Sequence, residues 1–161
     1  MKTTLIILVS ALVLLVITQA FAMRSTKKTE ERSFDVISKD SNFEIRYYPV
    51  AVMATVQLSG KTYREVANPG FRKLANYIFG GNNAGKGISM TAPVQMSIND
   101  TASNMSFVMP SSMTLENLPA PNDKSVHLHE AASEYVAVLE FGGYASDSKI
   151  CLLYTSPSPR D

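Results

Sequence analysis

Tryptophan is absent, cysteine occurs once, histidine twice, and neither sign of charge predominates: 15 basic side chains face 14 acidic ones, for a net charge of +1. A single cysteine, Cys151, excludes a disulfide framework and a cysteine-rich zinc site. Balanced charge argues against a nucleic-acid binder, which needs a basic face to displace phosphate counterions. Lys2 is the only charged side chain before Arg24, so removal of the N-terminal segment balances the charges fully. Like charges run no further than pairs such as Lys27-Lys28 and Glu30-Glu31, which leaves no polybasic patch for a membrane surface. The 161 residues and 17.6 kDa suit one domain, and a hydrophobic fraction of 45% suits a folded one.

Leu5 to Ile17 is apolar except for Ser10, follows Lys2 and the free amine, and leads to Ala20-Phe21-Ala22. A basic start, a short apolar core and a small-x-small exit describe a secretory signal peptide cut after Ala22. The rival is an uncleaved anchor running to Met23, held at the cytoplasmic side by Arg24, Lys27 and Lys28. Both readings send the chain into the secretory pathway, secreted or membrane-anchored. Asn99-Asp100-Thr101 and Asn104-Met105-Ser106 are glycosylation sequons, expected in an exposed turn over Asn99 to Asn104.

The expected organisation is a leader over 1–22, a linker over 23–32 and a folded body over 33–150. Phe34 to Ser38 and Phe43 to Tyr48 read as strands around a Lys39-Asp40-Ser41-Asn42 turn, and Ala51 to Leu58 as a third. Thr62-x-x-Glu65 is a capping box, and Asn68-Pro69 supplies a second N-terminal signal for a helix over Pro69 to Phe79. Phe71, Leu74, Ala75 and Ile78 recur at helical spacing, and Gly80-Gly81 supplies the stop. Ile88 to Ile98, Met105 to Met109, Val126 to Leu128 and Tyr135 to Phe141 read as further strands. Between them, Leu115 and Leu118 are expected to tuck under the Pro110 to Pro121 connection. This order predicts an α+β domain with a largely antiparallel sheet.

Catalytic signals are few. Gly80 to Gly87 nearly spells a phosphate-binding loop, but Gly87 replaces the magnesium-ligating hydroxyl and no helix follows it; a plain connection is expected. His127 and His129 share one face of a strand at a spacing that can bring two imidazoles to one metal. No thiol or carboxylate cluster joins them beyond Glu130, and the apolar Val126 and Leu128 must take the core side, so a solvated face is expected. No serine-nucleophile elbow occurs, and an enzyme is not expected. Met90, Met96, Met105, Met109 and Met113 crowd one quarter of the chain; they read as soft core filling or as an adaptable wall for a flat apolar ligand.

Ile88-Ser-Met90-Thr91-Ala-Pro93-Val94, preceded by Phe71-x-x-Leu74-x-x-Tyr77-Ile78-x-Gly80-x-Asn82, resembles the signature of the SOUL/haem-binding protein family. Phe43-Glu-Ile-Arg46-Tyr47-Tyr48, Phe107-Val-Met-Pro110, Leu118-Pro-Ala-Pro121, Val136-Ala-Val138 and Phe141-Gly-Gly-Tyr144 support it in the family's order. The resemblance implies a distorted antiparallel β-barrel flanked by helices, incomplete at the C-terminus, that binds haem or another tetrapyrrole without covalent attachment. The transport, buffering or scavenging of such a ligand is the expected role, with a non-catalytic interaction module or a tetrapyrrole-processing enzyme as alternatives. The partner implied is the small-molecule tetrapyrrole: no nucleic acid, and a membrane only through an uncleaved leader. The site residues implied are Tyr47, Arg64, Phe71, Arg72, Lys73, Leu74, Ile78 and Met90. Tyr47 stands where some members carry a proposed axial histidine, and tyrosine also ligates ferric haem. Residues 151–161, with Pro157 and Pro159, do not resemble the family's second helix and read as a non-native tail.

Overall fold

The computed structural model describes residues 9–19, 29–41, 43–98, 102–144 and 146–148, in two compact units, Met1–Glu30 and Glu31–Asp161. In the first unit, residues 9–19 form helix α1, whose side chains are exposed and in which the Thr18 hydroxyl donates to the Leu15 carbonyl at 2.9 Å. No helix among the described residues is long and apolar enough to cross a membrane. Ala20, Ala22 and Asn99, and the 151–161 tail, lie outside the described residues. The short strand β1 (Glu30–Glu31) falls at the boundary between units.

Among its described residues, the second unit is built chiefly on two antiparallel sheets and helix α2 (Tyr63–Ile78). β4 (Ala51–Leu58) is the spine of the larger sheet, with β7 (Ser103–Val108) on one side and β8 (Val126–Ala131) on the other; β6 (Val94–Ser97) extends it beyond β7. Period-two alternation puts Val52, Ala54, Val56 and Leu58 on one face. Phe107 and Leu128 lie opposite Ala54, and Met105 and Val126 lie opposite Val56. Helix α2 (Tyr63–Ile78) covers that face, and Leu74, Tyr77 and Ile78 complete the core with Ile88, Met109 and Leu118. Full burial of side chains this size is worth ~1.5–3 kcal/mol each, so the helix–sheet contact is the main source of stability. Met96 and Met113 pack at its margin. Four of the five clustered methionines are therefore core filling, and Met90 is exposed.

The helix starts earlier than the Asn68-Pro69 expectation. Thr62 caps it, accepting from the Glu65 N–H at 3.3 Å, while the Glu65 carboxylate accepts from the Lys61 N–H at 2.9 Å. One orphan donor of the first turn and the Lys61 N–H just before the cap are satisfied there, and Val66 is buried, whereas Pro69 inside the helix forgoes one bond to the Glu65 carbonyl. The buried stripe keeps the expected Leu74 and Ile78 but runs through Val66, Gly70 and Tyr77 instead of Phe71 and Ala75. Gly70 allows the close approach: a Cβ there would meet Leu58 Cδ1 at 2.7 Å and the Met105 sulfur at 3.1 Å. Beyond Phe79, Gly80 takes φ +106° and the Gly81 N–H returns to the Asn76 carbonyl at 2.8 Å, ending the helix.

The smaller sheet runs β2 (Asp35–Lys39), β3 (Glu44–Tyr48), β9 (Glu134–Val138). On one of its faces Lys39, Glu44, Arg46 and Glu140 form a chain of ion pairs at 2.6, 2.8 and 2.7 Å, with the Arg46 guanidinium over the Phe34 ring. The α+β class with antiparallel sheets is present, but the expected barrel is not closed among the described residues: β9 pairs only with β3, and β8 only with β4. The expected Ile88 to Ile98 strand is also broken. Pro93, preceded by a cis peptide bond and lacking a donor, separates β5 (Thr91–Ala92) from β6. Asn104 belongs to β7, between β4 and β6, rather than to an exposed turn. Leu118 is buried as expected; Leu115 is exposed.

Candidate functional site

The flank of α2 over β7 leaves apolar surface open on the helix side of the larger sheet. Phe107 is buried there, and two residues neighbour it. Phe71 makes an edge contact with its ring, centroids 5.4 Å apart, and Val94 is its register partner on β6, pointing to the same face. Phe71 remains 38% exposed and Val94 41%. Arg64 lies two turns before Phe71 on the same side of α2, and Arg72 follows Phe71; both are exposed, and neither guanidinium has an ion-pair partner among the described residues. An apolar step with unpaired cations beside it suits a flat apolar ligand bearing carboxylates.

The other expected site residues are placed elsewhere. Leu74 and Ile78, at 0% and 1% exposure, are sealed between helix and sheet and line no cleft. The Lys73 ammonium donates to the Ser125 hydroxyl at 3.0 Å, and that hydroxyl donates to Asp123 at 2.7 Å. The Ser125 backbone N–H, with its hydroxyl, holds the Asp123 carboxyl below its ordinary range. Lys73 is thus engaged in tying α2 to the start of β8. Met90 is exposed on the segment before β5. Tyr47 is half-buried on β3, its ring 5.0 Å from Tyr135, and β3 pairs only with β2 and β9. The structure therefore groups Phe71, Arg72 and Arg64 and leaves Tyr47 on a different sheet.

A second concavity lies between the sheets, a cleft of about 490 Å³. Tyr48, Val136 and Val138 supply one wall and Gln95, Ser97, Asn104 and Ser106 the other, with Met96 and Glu134 also lining it. Alternation decides which tyrosine of β3 reaches it: Tyr48 does, and Tyr47 takes the opposite face. Arg32 contacts two of the lining residues, its guanidinium 4.6 Å over the Tyr48 ring and 3.4 Å from Glu134. Sequence reasoning missed this cleft; the alternation of Val136 and Val138 with exposed Tyr135 was its only signal.

The glycine loop is a structural connection, as expected. Asn82 is buried and uses its whole amide: Nδ2 donates to the Tyr77 and Lys86 carbonyls at 3.1 and 2.7 Å, and Oδ1 accepts from the Ala84 and Lys86 N–H groups at 3.2 and 3.0 Å. The Tyr77 hydroxyl donates to the Pro119 carbonyl at 2.9 Å, and burial raises its pKa. The Thr91 hydroxyl donates to the Val108 carbonyl. These signature residues hold the fold together. His127 and His129 are exposed on β8 while Val126 and Leu128 face the core, as expected.

Comparison with known proteins places these features in one family. The family model for SOUL heme-binding protein matches residues 29–151. Heme-binding protein 1 of Xenopus laevis is 29% identical over 114 residues, covering 66% of this chain and 59% of that protein. Heme-binding protein 1 of Sus scrofa is 30% identical over 126 residues, covering 71% and 66%, and Heme-binding protein 2 of Mus musculus is 28% identical over 138, covering 81% and 65%. The chain thus spans about three-fifths to two-thirds of the length of these relatives. With a family match over most of its length, this chain belongs to the SOUL heme-binding protein family.

Proposed function

We propose that this protein binds haem or a related tetrapyrrole non-covalently, in transport, buffering or scavenging, on the α2 flank formed by Phe71 and Val94. Family membership is the observation that carries the reading, and the relatives named heme-binding proteins support it. The ring lies on the apolar step over Phe107, and its carboxylates meet Arg72 and Arg64. No catalytic step is part of this reading. The apolar run from Leu5 to Ile17 supports a place in the secretory route, where the ligand is met outside the cytosol.

The test is a haemin titration of the whole chain, read by the Soret band. A saturable red shift is expected. Phe71→Ser is expected to weaken binding at least tenfold while the far-ultraviolet circular dichroism is kept, because Phe71 lies at the margin of the core rather than within it. Arg72→Ala removes a solvated pair worth ~0.2–1 kcal/mol, a loss of binding of a few-fold at most. Weakening by Val136→Ser with no effect of Phe71→Ser would move the ligand to the inter-sheet cleft. No Soret change with any variant would overturn haemin binding and favour a non-catalytic interaction module.

A further inference from the structure

We propose that His127 and His129 on β8 form a two-imidazole chelate for a borderline first-row transition-metal ion, with Cu²⁺ held most tightly. β8 is the outer strand of the larger sheet, and it is regular through both residues: His127 is in register with Thr55 and His129 with Met53. Residues two apart on a strand point to one face with Cα atoms ~6.5 Å apart. Metal–imidazole bonds of ~2.0–2.1 Å place two cis nitrogens ~3 Å apart, a gap that two side chains leaning together span. The core fixes which way they point. Val126 and Leu128 are drawn onto the α2 side, which forces both imidazoles onto the other face, where both are exposed.

Neither imidazole has a hydrogen bond or an ion pair among the described residues, so nothing must be broken to bind the ion. Their register partners, Thr55 and Met53, bring no cation to repel it. No carboxylate or thiol completes the sphere: among the described residues no three His, Cys, Asp or Glu side chains come together. The site therefore has two protein ligands and open positions filled by water. Imidazole pairs follow the ordinary affinity order of divalent ions, which peaks at copper. This chelate is separate from the tetrapyrrole surface on the helix side of the sheet.

The experiment is titration of the whole chain with CuSO4 and with ZnSO4, without haemin, followed by calorimetry and by electron paramagnetic resonance of the copper form. One Cu²⁺ per chain at micromolar affinity is expected, with nitrogen hyperfine structure from two imidazoles and Zn²⁺ bound at least tenfold more weakly. His127→Ala and His129→Ala should each weaken Cu²⁺ at least tenfold, and the double variant should remove the two-nitrogen spectrum, with circular dichroism unchanged. As a second arm, moving one histidine to the opposite face (His129→Ala with Glu130→His) should leave binding weak although two histidines remain. Wild-type copper affinity in the double variant, or in that displaced pair, would overturn the proposal.

Discussion

Replacement of Asn82 by alanine should be among the most damaging single changes in the loop between α2 and β5, and the structure gives the size. The side chain is 3% exposed and makes four hydrogen bonds, two donated and two accepted. Three of its partners, the Ala84 N–H and both backbone groups of Lys86, belong to exposed residues that can turn to water when the amide is lost. The fourth, the Tyr77 carbonyl in the last turn of α2, is buried. A buried group left unpaired costs ~1–3 kcal/mol, and each bond exchanged for water costs a fraction of the ~0.5–1.5 kcal/mol a typical bond contributes. The expected loss is therefore ~2–4 kcal/mol, read as a lower urea midpoint at unchanged slope. Asn82→Asp sharpens the argument because it preserves shape and both accepted bonds. It replaces the donor with an oxygen aimed at two carbonyls, so at neutral pH it should cost at least as much as alanine. A loss below ~0.5 kcal/mol for alanine, or a tolerated aspartate, would refute the assignment of Asn82 as the organiser of this loop.

Gly70→Ala should destabilise by roughly 1 kcal/mol despite a helix-propensity gain of ~1 kcal/mol, because overpacking against Leu58 and Met105 costs ~1–3 kcal/mol; a melting temperature at or above wild type would contradict the close approach. Glu44 is held below the ordinary carboxylate range chiefly by its hydrogen bond from Lys39, then by that from Arg46. A depressed carboxyl stabilises above its unfolded pKa, ~4.3, and loses that contribution as pH falls through the folded value. The gap in melting temperature between wild type and Glu44→Gln should therefore close on acidification, and a gap that widens would reverse the sign. Secretion from eukaryotic cells should yield a mature terminus at or near Met23 by mass spectrometry; an intact Met1 retained in carbonate-washed membranes would select the anchor instead.

Local signals were legible where one physical demand acted alone. The Ala51 to Leu58 alternation marks β4 to the residue, because only one face of that strand meets α2. The Gly80-Gly81 stop follows from a positive φ that other residues rarely adopt. The start of α2 was not decided locally, since Thr62 and Asn68-Pro69 are both valid openings. Tertiary burial of Val66 and Gly70 chose between them, and the same choice rotated the buried stripe and left Phe71 at the margin. Tyr47 and Tyr48 differ by one step of alternation, so the placement of the smaller sheet beside the larger decides which ring lines the cleft. A pairing between distant strands sets that placement, and no window of sequence contains it.

The family signature now divides by what its residues touch. Tyr77 and Asn82 bind the end of α2 to the glycine loop and to the Pro119 to Pro121 segment, and Thr91 ties the start of β5 to the end of β7. Leu74 and Ile78 fill the core. A substitution at any of these five positions perturbs ligand binding only by perturbing the fold, so loss of binding there identifies no contact. Phe71 and Val94 are different: they stand at the two ends of the signature, are separated by the second half of the helix and the whole glycine loop, and each neighbours Phe107 with a large part of its side chain in solvent. The packing of α2 on β7 places one of them and the β6–β7 register places the other, both around Phe107. The same construction that stabilises the domain therefore shapes the apolar step, and changes of ligand preference between related chains should concentrate at Phe71, Val94 and the arginines beside them rather than in the signature's buried middle.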